Sequence, residues 1–324
     1  MTLLRPRPTA DDVRAAARRI APFVTRTPCV HSAWLTAHCG ADVWLKLETV
    51  QTTGSFKFRG AINAIARLRA ERPGVNAVIT GSAGNHGLAL AAAGARLGGR
   101  VRVHLPATAP ETKRTGIAAA GAEMVFAQSY DAAEAAAQDE ARRTGLFYVS
   151  PYDDADVIAG AGTVGEEIFA DVQGLDAVIV PVGGGGLISG IAIAAGRTGG
   201  VEVHGAEATA SPVFTAALAA GKPVTVTVHP TLAQGLAGNM DPASMTFGIV
   251  RDLVGRVVAV DEASIGRAMR DLAYRDGVVA EGAGATRVAA LAGGALDLAG
   301  RRVAVVISGR NVDEAVLRRV LQAG

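Results

Sequence analysis

The sequence predicts an α/β fold in which mostly parallel sheets are covered by helices on both faces. Eight apolar runs of four to six residues alternate with helical stretches along the 324-residue chain. Alternation of short buried strands with helices is typical of parallel sheets covered on both sides. The 40 glycines are clustered and exceed the average share of about 7%. They indicate tight turns at which the backbone approaches another group.

Each predicted strand is an apolar run of the length that a strand buried on both faces requires. The predicted bounds are 43–47, 77–80, 101–105, 124–127, 177–182, 201–206, 256–260 and 303–308. The clearest helices are 11–21, which opens on an acidic turn, and 85–97, which is almost all Ala, Leu and Gly. We expect a helix as apolar as 85–97 to be buried on most of its surface.

The order of these elements also predicts how the chain divides into domains. Residues 76–149 form a self-contained βαβαβ unit that ends near Pro151, and further strands follow it. We therefore predict a small domain, 71–149, between the two parts, 1–70 and 150–324, of a large domain.

Composition and charge exclude several classes of protein. The chain has 32 Lys and Arg against 30 Asp and Glu, so it lacks the single-sign excess of nucleic-acid or membrane-surface binders. No apolar run approaches the roughly 20 residues that cross a bilayer. The start of the chain does not resemble a secretory signal, and Cys29 and Cys39 lack zinc or redox spacing. We expect a cytoplasmic protein with a small-molecule partner.

Lys57 is the first candidate for chemistry. It lies between Phe56 and Phe58, where desolvation would lower the pKa of its amine. A neutral amine is a nucleophile that can form a Schiff base. The alternative is a surface lysine at the start of a helix.

A glycine-rich turn at 80–87 is predicted where a strand ends and a helix begins. Free backbone N–H groups there, with the hydroxyl of Ser82 and the amide of Asn85, would bind a carboxylate. The alternative is a tight turn with a capping side chain. His86 could equally be a structural histidine.

Four successive glycines, Gly183, Gly184, Gly185 and Gly186, follow another predicted strand and precede a helix. Without side chains in the way, several N–H groups can converge on one phosphate. The spacing fits neither the dinucleotide-binding fingerprint nor a P-loop. We therefore favour phosphate binding over a simple tight turn.

The segment 307–311 places Ser308 at the end of a further predicted strand. In open α/β sheets, ligands bind beyond the carboxyl ends of the strands. All four candidate segments lie at or near such positions, so we expect them to form one site.

The segments GSFKFRGA, SAGNHG, GGGGL and SGRN, in this order, resemble the motifs of fold type II pyridoxal-phosphate (PLP) enzymes, which have the tryptophan synthase β-like fold. Within this class they are similar to the serine/threonine dehydratase and serine racemase family, over nearly the whole chain. The resemblance implies two open, twisted, mostly parallel sheets, a large domain that binds PLP, and a homodimer.

The resemblance also implies a role for each matching residue. Lys57 would bind PLP covalently and act as the catalytic base, with Phe56 and Gly235 on opposite faces of the cofactor ring. The other implied cofactor contacts are Asn85 at the ring hydroxyl, Gly183, Gly184, Gly185, Gly186 and Leu187 at the phosphate, Glu281 in the pocket wall and Ser308 at the ring nitrogen. The implied cradle for the substrate carboxylate is Ser55, Ser82, Asn85 and His86.

The implied reaction is a β-elimination that converts a 3-hydroxy amino acid, such as L-threonine or L-serine, to a 2-oxo acid and ammonia. A serine cannot keep the ring nitrogen protonated as an aspartate would, and the weaker electron sink suits elimination. A larger substrate, 3-hydroxyaspartate or phenylserine, stays open, as does the contribution of Tyr152 to the side-chain pocket. The chain ends one helix after Asn311, so we expect no regulatory domain there.

Three departures from the family bear on the activity. Ala83 stands where racemases carry a second serine, which disfavours racemisation but leaves a serine racemase-like enzyme as the alternative. Glu207 matches one ligand of the family's divalent-cation site, but Val213 replaces another and puts that site in doubt. A capping carboxylate is the other interpretation of Glu207. Arg310 replaces a glycine and either contacts a distal substrate group or points to solvent.

Overall fold

The computed structural model describes residues 5–82, 84–109 and 111–322, which form ten strands in two sheets. The strands are β1 (Cys29–His31), β2 (Asp42–Leu47), β3 (Ala77–Gly81), β4 (Arg100–Pro106), β5 (Glu123–Ala127), β6 (Phe147–Tyr148), β7 (Ala177–Pro181), β8 (Glu202–Ala208), β9 (Val257–Val260) and β10 (Arg302–Ile307).

The larger sheet has the strand order β1-β2-β10-β7-β8-β9, and the smaller sheet has the order β5-β4-β3-β6. All neighbours pair in parallel except β1, which pairs antiparallel with β2. The predicted class of two mostly parallel sheets is confirmed. In each sheet the carboxyl ends of the parallel strands lie along one edge, which is where such sheets bind ligands.

Eight of the ten strands coincide with the predicted apolar runs, within two residues at each end. The other two, β1 and β6, are three and two residues long, too short to carry a periodic signal. The boundaries of these two strands are set by pairing with neighbours rather than by their own sequence.

The described residues also form thirteen α-helices, and none of these is both long enough and apolar enough to cross a membrane. The helices are α1 (Ala10–Ile20), α2 (Ala33–Cys39), α3 (Lys57–Glu71), α4 (Asn85–Leu97), α5 (Glu111–Ala119), α6 (Tyr130–Thr144), α7 (Ala155–Asp171), α8 (Gly186–Ala195), α9 (Val213–Ala220), α10 (Met245–Leu253), α11 (Glu262–Arg275), α12 (Gly282–Ala292) and α13 (Glu314–Gln322).

Both faces of the larger sheet are buried, as β10 illustrates. Val303, Val305 and Ile307 pack with α11 and α12 on one face. Ala304 and Val306 pack with α7 and α8 on the other. This alternation is the period of two that strand geometry imposes. The smaller sheet is covered by α3 and α4 on one face and by α6 on the other.

A buried network of ion pairs joins α3 to α7 and to the segment after β2. Arg59, fully buried in the first turn of α3, donates to both carboxylate oxygens of Glu48 at 2.8 Å. It also donates to Glu167 of α7 at 2.7 and 2.9 Å. Lys46, likewise buried, donates to Glu167 at 2.7 Å. Because Arg59 lies two residues after Lys57, the network fixes the start of the helix that carries Lys57.

Replacement of Arg59 by methionine is expected to lower the free energy of unfolding by about 3–5 kcal/mol, since it leaves two buried carboxylates short of their cation. The control is Arg143→Met, which removes an exposed pair with Asp139 and should change stability by less than about 1 kcal/mol. Urea denaturation followed by circular dichroism measures both. Equal losses in the two variants would contradict the assigned role of the network.

Candidate active site

The predicted site segments meet where the carboxyl end of β10 contacts the start of α3. Phe56 N donates to the carbonyl oxygen of Ser308 at 3.1 Å, and Arg310 N donates to that of Gly54 at 2.9 Å. These two antiparallel bonds bring Lys57, the first residue of α3, next to Ser308. The structure thus brings together two segments that are 250 residues apart in the sequence.

The Lys57 amine has no carboxylate within ion-pair distance among the described residues. Its Nζ donates to the carbonyl oxygen of Pro151 at 2.6 Å and lies 5.1 Å from the centre of the Phe56 ring. Burial lowers the pKa of Lys57 from 10.5 to about 8, against the attraction of the Glu281 carboxylate. A neutral, nucleophilic amine therefore becomes accessible near physiological pH.

The four-glycine loop packs so closely against its surroundings that side chains do not fit. A Cβ on Gly183 would lie 2.8 Å from the Cα of Leu236, and one on Gly186 would lie 2.8 Å from the carbonyl oxygen of Tyr152. Gly185 has a φ of 85°, a conformation that favours glycine. The loop therefore needs glycine for close packing as well as for any ligand.

Two side chains fix this loop from outside. The ring of Tyr152 packs on Gly184, where a Cβ would lie 2.2 Å from the ring. Thr246 Oγ1 donates to the carbonyl oxygen of Gly184 at 2.9 Å. Leu187 anchors the first turn of α8 in the core, and no side chain caps that helix. The first N–H groups of α8, which no helical carbonyl can reach, are left for a ligand.

The N-terminus of α4, like that of α8, has no side-chain cap. Gly84 is the N-cap residue and offers no side-chain cap, so Asn85, His86 and Gly87 contribute the first N–H groups of the helix. The half-buried Ser82 lies just before this turn, and its Oγ accepts from Gly84 N at 3.3 Å. The predicted anion cradle therefore has the geometry of a helix N-terminus.

The side chain of His86 is already used within the fold. It is buried, and its Nε2 donates to the carbonyl oxygen of Val149 at 3.2 Å. Burial, reinforced by the charge of Lys57, lowers the pKa of His86 to about 3. The ring is therefore neutral, its Nδ1 carries no proton, and only the backbone N–H of His86 can donate to an anion.

Two amides and a carboxylate form a chain of hydrogen bonds across the site. Asn311 Nδ2 donates to Asn85 Oδ1 at 2.8 Å, and Asn85 Nδ2 donates to Glu281 Oε1 at 2.7 Å. Burial raises the pKa of Glu281 to about 6. The chain connects the start of α4, beside the smaller sheet, to segments that follow β10 and precede α12.

The Ser308 and Ser55 hydroxyls lie at the base of this arrangement. Both residues are buried, and Ser55 Oγ has no hydrogen-bond partner in the part of the chain that the structure describes. An unpaired buried hydroxyl is unfavourable unless a ligand or water satisfies it. Both serines therefore have hydrogen-bonding capacity for a bound molecule.

Residues 20–309 match the family described as pyridoxal-phosphate dependent enzyme. The chain belongs to this family. It is 39% identical, over 98% of its length and 79% of the relative, to an L-threonine ammonia-lyase of Thermotoga maritima. It is 36% identical, over 97% of its length and 92% of the relative, to a catabolic L-threonine dehydratase of Staphylococcus aureus. Maize serine racemase, a solved structure, covers 97% of the chain at a TM-score of 0.91 and 32% identity, with 97% of its own chain matched.

These comparisons confirm the predicted family, the fold type II architecture, the PLP cofactor and the lyase class. The site suits the cofactor chemically. A desolvated lysine, two helix N-termini without side-chain caps and an unpaired buried hydroxyl match an aldehyde, a phosphate and hydrogen-bonding ring substituents. The residues of this site therefore fit PLP, the cofactor that the family uses.

Several predicted residues lie at the margin of the site or outside it. Gly235 is exposed in a short 3-10 helix (Gln234–Leu236), where a Cβ would lie 3.3 Å from the Cβ of Ala283. Glu207 accepts from the backbone N–H groups of Phe214 and Thr215 at 3.0 and 2.8 Å, so it caps the start of α9. Ala83 lies outside the described residues.

No group of three His, Cys, Asp or Glu suited to a metal ion occurs among the described residues. Cys29 and Cys39 are free and half-buried, and burial raises the pKa of each to about 11. Such thiols are poor nucleophiles at neutral pH. The cysteines therefore play no part in the chemistry described below.

Sequence analysis missed one buried charged residue beside the site. Arg287 lies on α12 with its guanidinium directed towards Ser308, at 3.5 Å from the hydroxyl. The available signal was a single arginine within GAGATRVAALAG, a segment otherwise without charge. Asn311 was inside a recognised motif, but its bond to Asn85 depends on the folded chain.

The lowered pKa of Lys57 predicts the pH dependence of PLP capture by the cofactor-free protein. The amine is protonated and unreactive below about pH 8, so the capture rate should rise through that pH and level off above it. Stopped-flow absorbance measures the rate, with Nα-acetyl-lysine as a reference amine and Lys57→Ala as the blank. A midpoint as high as that of the reference amine would show that the site does not desolvate Lys57.

Close packing of the glycine loop predicts that Gly186→Ala weakens PLP binding at least about tenfold. The added methyl group would collide with the backbone of Tyr152. Gly196→Ala is the matched control at the other end of α8, where a Cβ would lie 3.5 Å from its nearest neighbour. Absorbance titration gives both dissociation constants. Unchanged PLP affinity in Gly186→Ala would contradict a phosphate seat at this helix start.

Proposed function

We propose that the protein is a dehydratase that converts a 3-hydroxy amino acid, such as L-threonine or L-serine, to a 2-oxo acid and ammonia. The names of its relatives, threonine ammonia-lyase and threonine dehydratase, support this assignment. The observation that carries the proposal is the desolvated Lys57 amine, which donates to the carbonyl oxygen of Pro151 and begins the helix that is hydrogen-bonded to the Ser308 segment. Such an amine can both bind the cofactor covalently and remove a proton from carbon.

We propose that PLP is held by the residues predicted from the sequence. Lys57 binds its aldehyde, and the N–H groups of Gly183, Gly184, Gly185, Gly186 and Leu187 bind its phosphate at the positive end of the α8 dipole. Phe56 and Gly235 flank the ring, Asn85 donates to the ring hydroxyl, Ser308 donates to the ring nitrogen, and Glu281 closes the pocket.

The bound cofactor supplies an aldehyde that captures amino groups and a conjugated ring that withdraws electrons from the substrate Cα. Once the substrate is bound, the freed Lys57 amine would accept the Cα proton at its neutral Nζ. Pro151 orients the amine through the carbonyl oxygen that accepts its hydrogen bond. The β-hydroxyl would then leave with that proton as water, and hydrolysis of the released enamine by a second water would yield the 2-oxo acid and ammonia.

The substrate carboxylate is proposed to bind at the start of α4. The backbone N–H groups of Asn85 and His86 and the hydroxyls of Ser55 and Ser82 supply donors without a full positive charge. A neutral cradle of this kind avoids a salt bridge that would have to be broken on product release.

A serine racemase-like enzyme is the second candidate, favoured by the similarity to maize serine racemase. A racemase needs a proton donor on the face opposite Lys57, and the sequence has alanine at position 83, where racemases of the family carry serine. Elimination therefore remains the proposed main activity. A dehydratase for 3-hydroxyaspartate or phenylserine would differ in the pocket for the substrate side chain, and the structure places the Tyr152 ring against Gly184 of the glycine loop.

We further propose a large domain of residues 1–70 and 150–324, a small domain of residues 71–149, a homodimer and a cytoplasmic location. The placement of β3 to β6 in their own sheet supports the division. The family resemblance supports the dimer, which size-exclusion chromatography with light scattering can measure. We assign no role to a divalent cation, because Glu207 caps α9.

The proposed activity predicts 2-oxo acid release by the PLP-loaded protein from one or more of L-threonine, L-serine, the 3-hydroxyaspartate diastereomers and phenylserine. Lys57→Ala should lower the rate by at least about 10²–10⁴-fold, the contribution of a positioned base alone. Lys222→Ala, which alters an exposed lysine, is the matched control. A coupled lactate dehydrogenase or hydrazone assay detects the product.

Product analysis on a chiral column separates the two candidates. Release of 2-oxo acid without the D-amino acid fits the dehydratase. Rapid formation of D-serine with little 2-oxo acid would overturn it in favour of the racemase. Absence of both products from a protein that binds PLP through Lys57 would exclude both activities.

A further inference from the structure

Arg287 is buried where a positive charge is unfavourable. Its side chain is fully buried, and no carboxylate of the described residues lies within ion-pair distance, although the Glu281 carboxylate is near enough to attract its charge. Its Nη1 and Nη2 donate to the carbonyl oxygens of Ala283 and Gly284, at 2.7 and 2.5 Å. Its Nε is buried without a partner in the described part of the chain. Isolated buried charges of this kind are among the most unfavourable arrangements in proteins.

The position of the guanidinium along α12 adds to this cost. The side chain folds back from the second turn to the carbonyl groups of the first turn, so the charge lies near the helix N-terminus. The macrodipole makes that end positive, and a cation there is disfavoured. Burial lowers the pKa of Arg287 to about 9, against the attraction of the Glu281 carboxylate, and the group stays charged at neutral pH. Packing within α12 alone therefore gives no reason for an arginine here.

In the part of the chain that the structure describes, the side chain within hydrogen-bonding distance of the guanidinium is that of Ser308. Arg287 Nη2 lies 3.5 Å from Ser308 Oγ, which is long for a hydrogen bond but close enough to orient the hydroxyl. An N–H group that points at the oxygen favours lone pairs on that side and turns the hydroxyl proton away. Ser308 is then presented to a ligand as a donor rather than as an acceptor.

We propose that Arg287 is a positioning residue that acts through Ser308 to keep the PLP ring nitrogen unprotonated. The inference rests on the proposed function, which places Ser308 at that nitrogen. An unprotonated nitrogen accepts the hydroxyl proton, whereas a protonated one would need Ser308 to accept and would add a second positive charge near the guanidinium. Like charges in a buried site disfavour each other strongly.

The protonation state of the ring nitrogen decides between β-elimination and transamination. A ring with an unprotonated nitrogen withdraws electrons weakly, so the charge that develops at Cα is short-lived and the β-hydroxyl leaves promptly. A protonated ring would stabilise that negative charge long enough for a proton to be added at the former aldehyde carbon of the cofactor, which leads to transamination. Arg287 therefore biases the enzyme towards elimination without contacting the substrate.

The test is nitrogen-15 NMR of the holoenzyme loaded with PLP labelled at the ring nitrogen. The wild-type signal should be that of an unprotonated nitrogen at neutral pH. Arg287→Met and Arg287→Gln should raise the pKa of the nitrogen by at least about one unit, a tenfold change in its protonation. Arg287→Lys should stay close to wild type, because it keeps the charge. Arg302→Met, at the other end of β10, is the charge-matched control and should leave the signal unchanged.

A second readout is the ratio of elimination to the slow side reaction that converts bound PLP to pyridoxamine phosphate. This ratio should fall at least tenfold in Arg287→Met and Arg287→Gln and stay near wild type in Arg287→Lys. A purely structural role for Arg287 would lower stability without moving either readout.

The outcomes separate this inference from the proposed function. A protonated ring nitrogen in the wild type, or an unmoved signal in Arg287→Gln with PLP bound, overturns the role of Arg287 while the dehydratase assignment stands. The wild-type spectrum alone shows whether the ring nitrogen is protonated, even where Arg287→Met and Arg287→Gln fail to fold. Failure of the wild type to bind PLP through Lys57 would instead overturn the proposed function itself.

Discussion

The geometry of the active site depends on one buried guanidinium, that of Arg59. It lies between the segment after β2, the first turn of α3 and α7, where it neutralises Glu48 and shares Glu167 with Lys46. An ion pair with several fixed partners tolerates few arrangements, unlike an apolar contact, which can slide. The first residue of α3 is Lys57, two residues before Arg59. The ion pairs of Arg59 therefore fix the position of the helix start that carries the reactive amine.

Two helices that border the proposed site lack side-chain caps that other helices have. The N-cap residues of α1 and α6 are Thr9 and Ser129, whose hydroxyls accept from the first turns of these helices. The N-cap residues of α4 and α8 are glycines, which offer no such cap. The difference lies in the sequence immediately before each helix, because only a side chain with an acceptor can satisfy these N–H groups locally. In the proposed function, a bound anion would take the place of the cap in these two helices.

The sequence was sufficient for those parts of the structure that local patterns determine. Eight strands, the helix at 85–97 and the turns that contain Lys57, Asn85 and Ser308 follow from apolar runs and glycine clusters. Contacts between distant segments could not be predicted in this way, because no local pattern records them. The bond from Asn311 to Asn85, the Arg59 network and the approach of Arg287 to Ser308 all join residues more than ten positions apart. Likewise, the sequence left His86 open between two interpretations, and only its bond to Val149 shows that its ring is used internally.

The motif SGRN shows why a departure from a family pattern can be harmless at one position and not at the next. A Cβ on Gly309 would lie 2.5 Å from Glu281 Oε1 and 3.0 Å from the Cβ of Ser55, so no larger residue fits there. Arg310 is exposed and contributes its backbone N–H to the bond with Gly54, which any residue but proline can make. This backbone bond therefore places no demand on the side chain at position 310, which is exposed to solvent. The charge that acts on Ser308 is instead that of Arg287 on α12, which is too far away in the sequence for a local motif to include it.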